Sequence, residues 1–537
     1  MRIVVFHYHL LPGGVTDVVV HSVRAVVAHR DDAREVVLVA GRADNTATVR
    51  DRLADLPVPV SIDVLPEVGY TDPHETTDEA HARAASIERV LTDRYAGDDT
   101  LWWVHNYHVG KNPALTLALC RIAALENAPR MLLHVHDFPE CARYENLAYL
   151  TRIAGRSPYP TGPNVRYAVI NARDRRLLVE AGLPAERVGL LLNPVEGAPG
   201  DGTAGPAGAS SAADRERVVA RLADYAADTG QRFHPDGPLV LYPVRTIRRK
   251  NVLEAAAIAR LAPGANLIVT LPGVSDAERP YSDLVRYAYE DRRIHGIWGI
   301  APHDADYALS YEAIAAASDV VVSSSVQEGF GLLFVNALRW RKPLLARRLD
   351  VLESLEPLFS GYPAAFYDTF RVPMRSPSIT SMQAYLRMRY NERLAELEDV
   401  IPPLARERLD ADLDELLAGE AIDFSFLPAQ MQLTVLGDLR EEGFGALVKA
   451  MNGELVSAVA GPAVVGPGAA TPAATNRAAA APPDRETAIA ELLGYEAYAA
   501  AFAALWDGRQ ADARTGREGT ARYEGVQDAL TEAFARI

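Results

Sequence analysis

Short apolar runs rich in Val, Ile and Leu alternate along this chain with longer segments whose apolar positions recur at three and four. The runs 3–6, 35–39, 61–65, 101–104, 131–135, 167–170 and 188–192 read as strands, and 15–29, 78–95, 113–126 and 173–181 as helices between them. Strand and helix in strict alternation is the pattern of a doubly wound parallel α/β sheet. Residues 196–213 break the rhythm, being mostly Gly, Ala, Pro and Ser, with an amphipathic helix at 215–227 following. The βα rhythm then restarts through 239–243, 266–270, 294–298, 319–322 and 343–346. Two Rossmann-like units in succession imply a cleft where ligands meet the carboxyl ends of strands.

This divides the chain into an N-terminal unit (1–195), a connection (196–237), a second unit with a helical insertion (238–450), an Ala/Pro-rich linker (451–485) and a helical tail (486–537). The tail has two helical stretches, 486–506 and 520–537. In the first, Ile489, Leu492, Leu493, Ala499, Phe502 and Trp506 recur at helical spacing, as in a helix docked on the body. A homodimer contact or an acceptor lid is the alternative use of that face.

Composition narrows the partners. With 55 Lys and Arg against 71 Asp and Glu, the formal charge of the 537 residues is −16. Such a chain repels nucleic acid and anionic membranes unless its cations cluster, whereas a nucleotide needs only two or three of them. Only Cys120 and Cys141 are present, which fits a reducing compartment and offers no metal finger. The N-terminus opens into a strand without signal-peptide features, and prolines and glycines interrupt the uncharged stretch 455–476. The expectation is a cytoplasmic protein with no integral membrane association.

Two constellations in the second half carry chemistry. Arg245 ends a strand and Lys250 follows at the start of a helix, a cation pair that suits a diphosphate. Beyond the strand 319–322 comes Ser323-Ser324-Ser325-Val326-Gln327-Glu328-Gly329-Phe330-Gly331-Leu332. Its glycines let backbone N–H groups approach a phosphate, and Glu328 can accept from sugar hydroxyls. In this order and spacing the residues resemble the retaining group-1, or family-four, glycosyltransferases of the GT-B fold. The resemblance continues in Pro12-Gly13-Gly14-Val15, in His134-Val135-His136-Asp137, in Asn193-Pro194 and in Trp298-Gly299-Ile300, and spans roughly 1–350. It implies that Arg245 and Lys250 hold the donor diphosphate and that Gly13, Gly14, Gly329, Phe330, Gly331 and Leu332 line it. It also implies that Gly299 and Ile300 contact the base, and that His136 and Asp137 lie beside the transferring sugar. No metal and no cofactor is implied, the nucleotide-diphosphate sugar being a co-substrate. Eight residues after Glu328, where the family usually has a second Glu for the ribose, this chain has Asn336.

Paired imidazoles mark the ends of three strands: His7/His9, His105/His108 and His134/His136. They could converge as a zinc site, but no supporting Cys or carboxylate set accompanies them. Neutral imidazoles bonding sugar hydroxyls fit better. The acceptor side is read as His9, His105, Tyr107, Lys111 and Arg143, suited to a small soluble saccharide or anion. Asp304/Asp306 and Asp410/Asp412 imitate an Asp-x-Asp metal motif away from any strand end, and read as solvated helix. The expected function is hexosyl transfer from a nucleotide-diphosphate sugar. A silent nucleotide-sugar-binding protein and a sugar-nucleotide epimerase of the same architecture are the alternatives.

Overall fold

The computed structural model describes residues 1–141, 143–155, 158–196, 212–300, 307, 309–396, 398, 403–459 and 485–507. The connection at 197–211, the stretch 460–484, the helix expected at 520–537 and the Asp304/Asp306 pair lie outside the described residues. The described chain forms two compact units. One holds the residues up to 196, those described between 393 and 411 and the helical segment after 486, and the other holds 212 to 392 and 412 to 459 together with 485 and 486.

The first unit is built on seven parallel strands: β1 (Arg2–His7), β2 (Glu35–Ala40), β3 (Val60–Val64), β4 (Thr100–His105), β5 (Arg130–Val135), β6 (Val165–Val169) and β7 (Val188–Leu190), in the order β3-β2-β1-β4-β5-β6-β7. The second has six: β8 (Leu239–Arg245), β9 (Asn266–Leu271), β10 (Gly296–Trp298), β11 (Val320–Ser323), β12 (Leu344–Arg347) and β13 (Ala364–Tyr367), in the order β10-β9-β8-β11-β12-β13. Winding reverses between β1 and β4 and between β8 and β11. Loops leaving these neighbouring strands in opposite directions open a crevice at their carboxyl ends.

The central strands are apolar on both faces because helices cover both. Phe6, Trp102 and Val104 point into one layer of the first unit, and Ile3, Val5 and Trp103 into the other. The second layer is closed by the helix Gly14–Ala28 and by the C-terminal helix Tyr495–Asp507. Tyr498, Phe502 and Trp506 are buried there, with the Phe502 ring 5.1 Å from Trp103 and the Arg130 guanidinium 4.8 Å over Trp506. Arg485–Trp506 has the length and apolarity of a membrane span. It is divided at Gly494 into the helices Arg485–Leu493 and Tyr495–Asp507, and Ile489, Leu493, Phe502 and Trp506 are buried. The tail's apolar face is thus docked on its own unit.

The helix Ala212–Asp228 is longer than the sequence pattern indicates and is part of the second core. Val218, Leu222 and Ala226 pack with Leu239, Leu241 and Ile268. Within the insertion, Asp410 and Asp412 sit exposed on the helix Pro403–Ala418, as solvated positions.

Beneath the second sheet lies an ion network. Arg347 pairs with Glu254 and with Asp423, at 2.7 Å each, and Tyr367 donates to Glu254 at 2.8 Å. Burial pushes the Glu254 carboxyl up to about 7 against the pull of Arg347. A buried charge left without its partner costs more than the intact pair contributes, so Arg347 serves as structural glue for the helix Val252–Leu261.

Truncating Phe502 to Ala removes a fully buried ring from the first unit and should cost about 3–5 kcal/mol. Calorimetry should show the unfolding temperature falling, and an unchanged transition would mean that the C-terminal helix does not hold the sheet.

Candidate active site

In the second unit the two sequence constellations come together at the carboxyl ends of β8 and β11. Lys250 donates to Glu328 at 2.5 Å, and Arg249 stands 3.6 Å from the other carboxylate oxygen. Both members of the first pair are nearly buried, with side chains 14% and 10% exposed. Burial draws the Lys250 ammonium below its ordinary value, while Glu328 pulls the other way. The Glu328 carboxylate thus offsets the burial that disfavours the Lys250 charge.

The loop that carries Lys250 is stitched to the loop that carries Glu328. Tyr242 donates to the Lys250 carbonyl at 2.7 Å and contacts the Ser325 hydroxyl at 2.8 Å. Ser324 donates to the Asn251 carbonyl at 2.9 Å, and the Val326 N–H to the Arg249 carbonyl at 2.9 Å. Asn251 holds left-handed backbone (φ 49°), and its side chain donates to Glu254, tying the loop to the ion network below. Sequence reasoning passed over Tyr242, Ser324 and Ser325 as supports, although the serine run at a strand end was their signal.

Arg245 points out of β8, half exposed, and pairs with Glu278 at 3.1 Å. Gly331 caps the helix Leu332–Arg339 at φ 90°, and a Cβ there would meet the Phe334 ring at 2.4 Å, so only glycine fits. Phe330 is buried, Leu332 exposed and Asn336 half-buried on that helix. Gly299 turns the chain after β10 at φ 87°, and its N–H donates to Val269. Ile300 departs from expectation. Its side chain is buried among Leu239, Ile268 and Ile314, so any contact from this turn comes from backbone.

In the first unit the helix Gly14–Ala28 begins after β1 with no side-chain cap, and a Cβ at Gly13 or Gly14 would meet nothing within 4 Å. Uncapped N–H groups at an open helix start are a ready anion site. The histidines stack behind it. The His105 Nδ1 and His136 Nε2 are 2.9 Å apart, the Trp103 indole donates to His134 Nδ1 at 3.3 Å, and the His134 and His136 rings lie 4.2 Å apart. One ring nitrogen each from His105, His134 and His136 falls within a 4.8 Å span. Burial holds His105 and His136 well below the ordinary imidazole value, with neighbouring histidines adding to it, so both are neutral at pH 7. His105 is enclosed, 1% exposed, against His136.

Asn106, in left-handed backbone (φ 53°), accepts from the His136 N–H at 2.8 Å and from the Asp137 N–H at 3.3 Å, and so fixes the loop that presents them. Asp137 pairs with Arg143 at 3.1 Å. His9 bonds the Tyr70 hydroxyl at 3.1 Å, and the Lys111 ammonium lies 5.6 Å over the Tyr70 ring. Tyr107 is corrected: fully buried, it donates to the Pro158 carbonyl at 2.7 Å and belongs to the core. Tyr70, which no sequence pattern singled out, lies between His9 and Lys111.

Burial brings His7 to about 4 and both His108 and His134 to about 3. In the unfolded chain these groups titrate near about 6.5. As pH falls below that value the unfolded chain takes up protons first. The first unit should then lose stability down to pH 3–4, by about 1.4 kcal/mol per pH unit for each histidine. Glu140, pushed up to about 7 by burial, acts with the opposite sign. His134→Gln, which still accepts from Trp103, should therefore flatten the fall of unfolding temperature between pH 6.5 and 4. Tryptophan fluorescence would follow it, and an unaltered slope would refute the assignment.

No protein-family profile matches the chain. The mannosylglucosyl-3-phosphoglycerate synthase of Petrotoga mobilis is 33% identical to it over 433 residues, 80% of this chain and 79% of that protein. Solved structures of similar outline include the catalytic domain of starch synthase IV from Arabidopsis thaliana, with ADP and acarbose bound. It is 11% identical, with 85% of this chain and 99% of that chain covered and a TM-score of 0.42. A sucrose-phosphate synthase from Thermosynechococcus elongatus is 14% identical, with 85% and 99% covered and a TM-score of 0.41. Likeness of that degree aligns no individual site residue. The identity to the Petrotoga protein spans most of both chains, and with it the protein belongs to the GT-B glycosyltransferase family and is a glycosyltransferase.

Proposed function

We propose that the protein transfers a hexosyl group from a nucleotide-diphosphate sugar, with retention of configuration and without a metal cofactor, to a small acceptor bearing a phosphate or carboxylate. The observation that carries this is the near-buried Lys250–Glu328 pair flanked by Arg249, at the strand ends where a Rossmann-like sheet binds its ligand. A diphosphate would draw Lys250 away from Glu328 and free the carboxylate for sugar hydroxyls. Donor binding and sugar positioning are then one event.

The chemistry follows from charge. As the bond from the anomeric carbon to the diphosphate oxygen breaks, negative charge grows on the leaving group, and Lys250 with Arg245 stabilises it there. The acceptor hydroxyl attacks the anomeric carbon from the face the diphosphate leaves. Its proton passes to a diphosphate oxygen, so nothing else need accept it. His136, neutral, can donate to or accept from a sugar hydroxyl, with its loop held by Asn106.

The acceptor class rests on Lys111 and Arg143, with His9 and Tyr70 beside them, and on the name of the Petrotoga relative, which describes a sugar joined to phosphoglycerate. Glucosyl-3-phosphoglycerate is the acceptor to try first, against a panel of nucleotide-diphosphate sugars that includes mannosyl donors. Release of nucleotide diphosphate that depends on the acceptor, with the anomeric configuration read by NMR, tests the proposal. Release of none would favour a silent binding protein.

Lys250→Ala and Glu328→Ala should each lower turnover at least about tenfold, or about 1.4 kcal/mol of transition-state stabilisation. Rates like the parent's in both would remove the donor site. Lys111→Ala should raise KM for an anionic acceptor about tenfold with a smaller change in kcat, since it binds ground and transition states alike. An unchanged KM would place the anion elsewhere.

A further inference from the structure

A second set of cations lies at the amino edge of the second sheet, the end opposite Arg245 and Glu328. His295 immediately precedes β10, and Arg260 sits in the last turn of the helix Val252–Leu261. The segment holding Arg232 and His234 is fixed beside them. The Gly296 N–H donates to the Arg232 carbonyl at 2.7 Å, and Asn266 at the start of β9 bonds both the N–H and the carbonyl of His234, each at 2.8 Å. Arg440, just past the helix Ala429–Asp438, donates to the Arg292 carbonyl at 2.7 Å.

The side chains meet. His234 Nε2 and His295 Nδ1 are 3.0 Å apart, and Arg260 donates to His295 Nε2 at 3.0 Å. Among the described residues, none of Arg232, Arg260 and Arg440 has a carboxylate partner. The strongest charges acting on His234, Arg260 and His295 are positive. His295 is lowered to about 3 by burial and then by Arg260, Arg232, His234 and Arg440, and even Arg260 is lowered, by burial and then by Arg440 and Arg232. In a chain with 71 acidic side chains against 55 basic ones, a cation cluster with no acid turned toward it is contrary to composition. Helix carbonyl ends account for Arg260 and for Arg440, which donates to the Asp291 and Arg292 carbonyls, and leave Arg232 and the two imidazoles unexplained.

We infer that Arg232, Arg260, Arg440, His234 and His295 form a binding site for a phosphate-monoester dianion, distinct from the donor site. Guanidinium groups bind such oxyanions through paired N–H donors, and a dianion between them would turn mutual repulsion into attraction. The imidazoles, neutral without it, would gain donors by protonation as it binds. Guanidinium and imidazole donors gathered at one sheet edge suit a phosphate group, as in a phosphorylated metabolite acting as effector. This does not rest on the acceptor or donor assignment above.

The test uses the full chain with nucleotide diphosphate saturating the donor site, and inorganic phosphate as the probe. The imidazole nitrogen resonances of His234 and His295, assigned through His→Gln variants, should move saturably toward the imidazolium range in millimolar phosphate. Arg260→Gln should weaken that binding at least tenfold. The exposed pair Arg232→Ala with Arg440→Ala should weaken it severalfold, leaving stabilisation by nucleotide diphosphate and the transfer rate without phosphate unchanged. If Arg260→Gln does not fold, the exposed double variant decides. Resonances that stay fixed throughout the titration, or parental phosphate affinity in the double variant, would overturn the site.

Discussion

A lysine removed from water must either lose its proton or find an anion. Lys250 has Glu328, 2.5 Å away, and much of the second unit serves to keep the two together. Tyr242 and Ser324 sew their loops to each other, Asn251 bends the chain between them, and Glu254 anchors Asn251 from below. Glu254 could not stay there without Arg347, nor Arg347 without Asp423. The site is thus the exposed end of a charge ladder that runs down into the sheet.

Much of this could be read from the amino acids. The run 3–6 became β1 at Arg2–His7, and 131–135 became β5 at Arg130–Val135, because apolar β-branched runs between turns have few other ways to be buried. Arg245, Lys250 and Glu328 were legible because loops at switch points have fixed places in the topology, whatever their detailed shape. Burial beyond strand ends was not. Nothing in Asn106-Tyr107-His108 tells which side chain turns inward, since periodicity stops where the strand does. The helix Ala212–Asp228 was hard to place for another reason. Alanine-rich sequence beside Gly/Pro-rich sequence looks like a connection until its leucine and valine stripe finds a sheet.

The two units treat histidine in the same physical terms with different partners. In the first, imidazoles bond each other and an indole, and burial keeps them uncharged, so they offer hydrogen bonds without net charge. In the second, arginines surround His295, and the field of those cations joins burial in keeping its proton off.

The C-terminal helix has a consequence for biosynthesis. His21 and Tyr495 share a hydrogen bond at 2.6 Å across 474 positions of chain, and Trp103 lies under Phe502 in the same layer. During translation the first sheet therefore leaves the ribosome with part of one face uncovered. It stays so while the whole second unit is made, an interval in which exposed apolar surface invites aggregation or chaperone binding. The first unit is therefore completed only after the second has been made, although its strands are the earliest to appear.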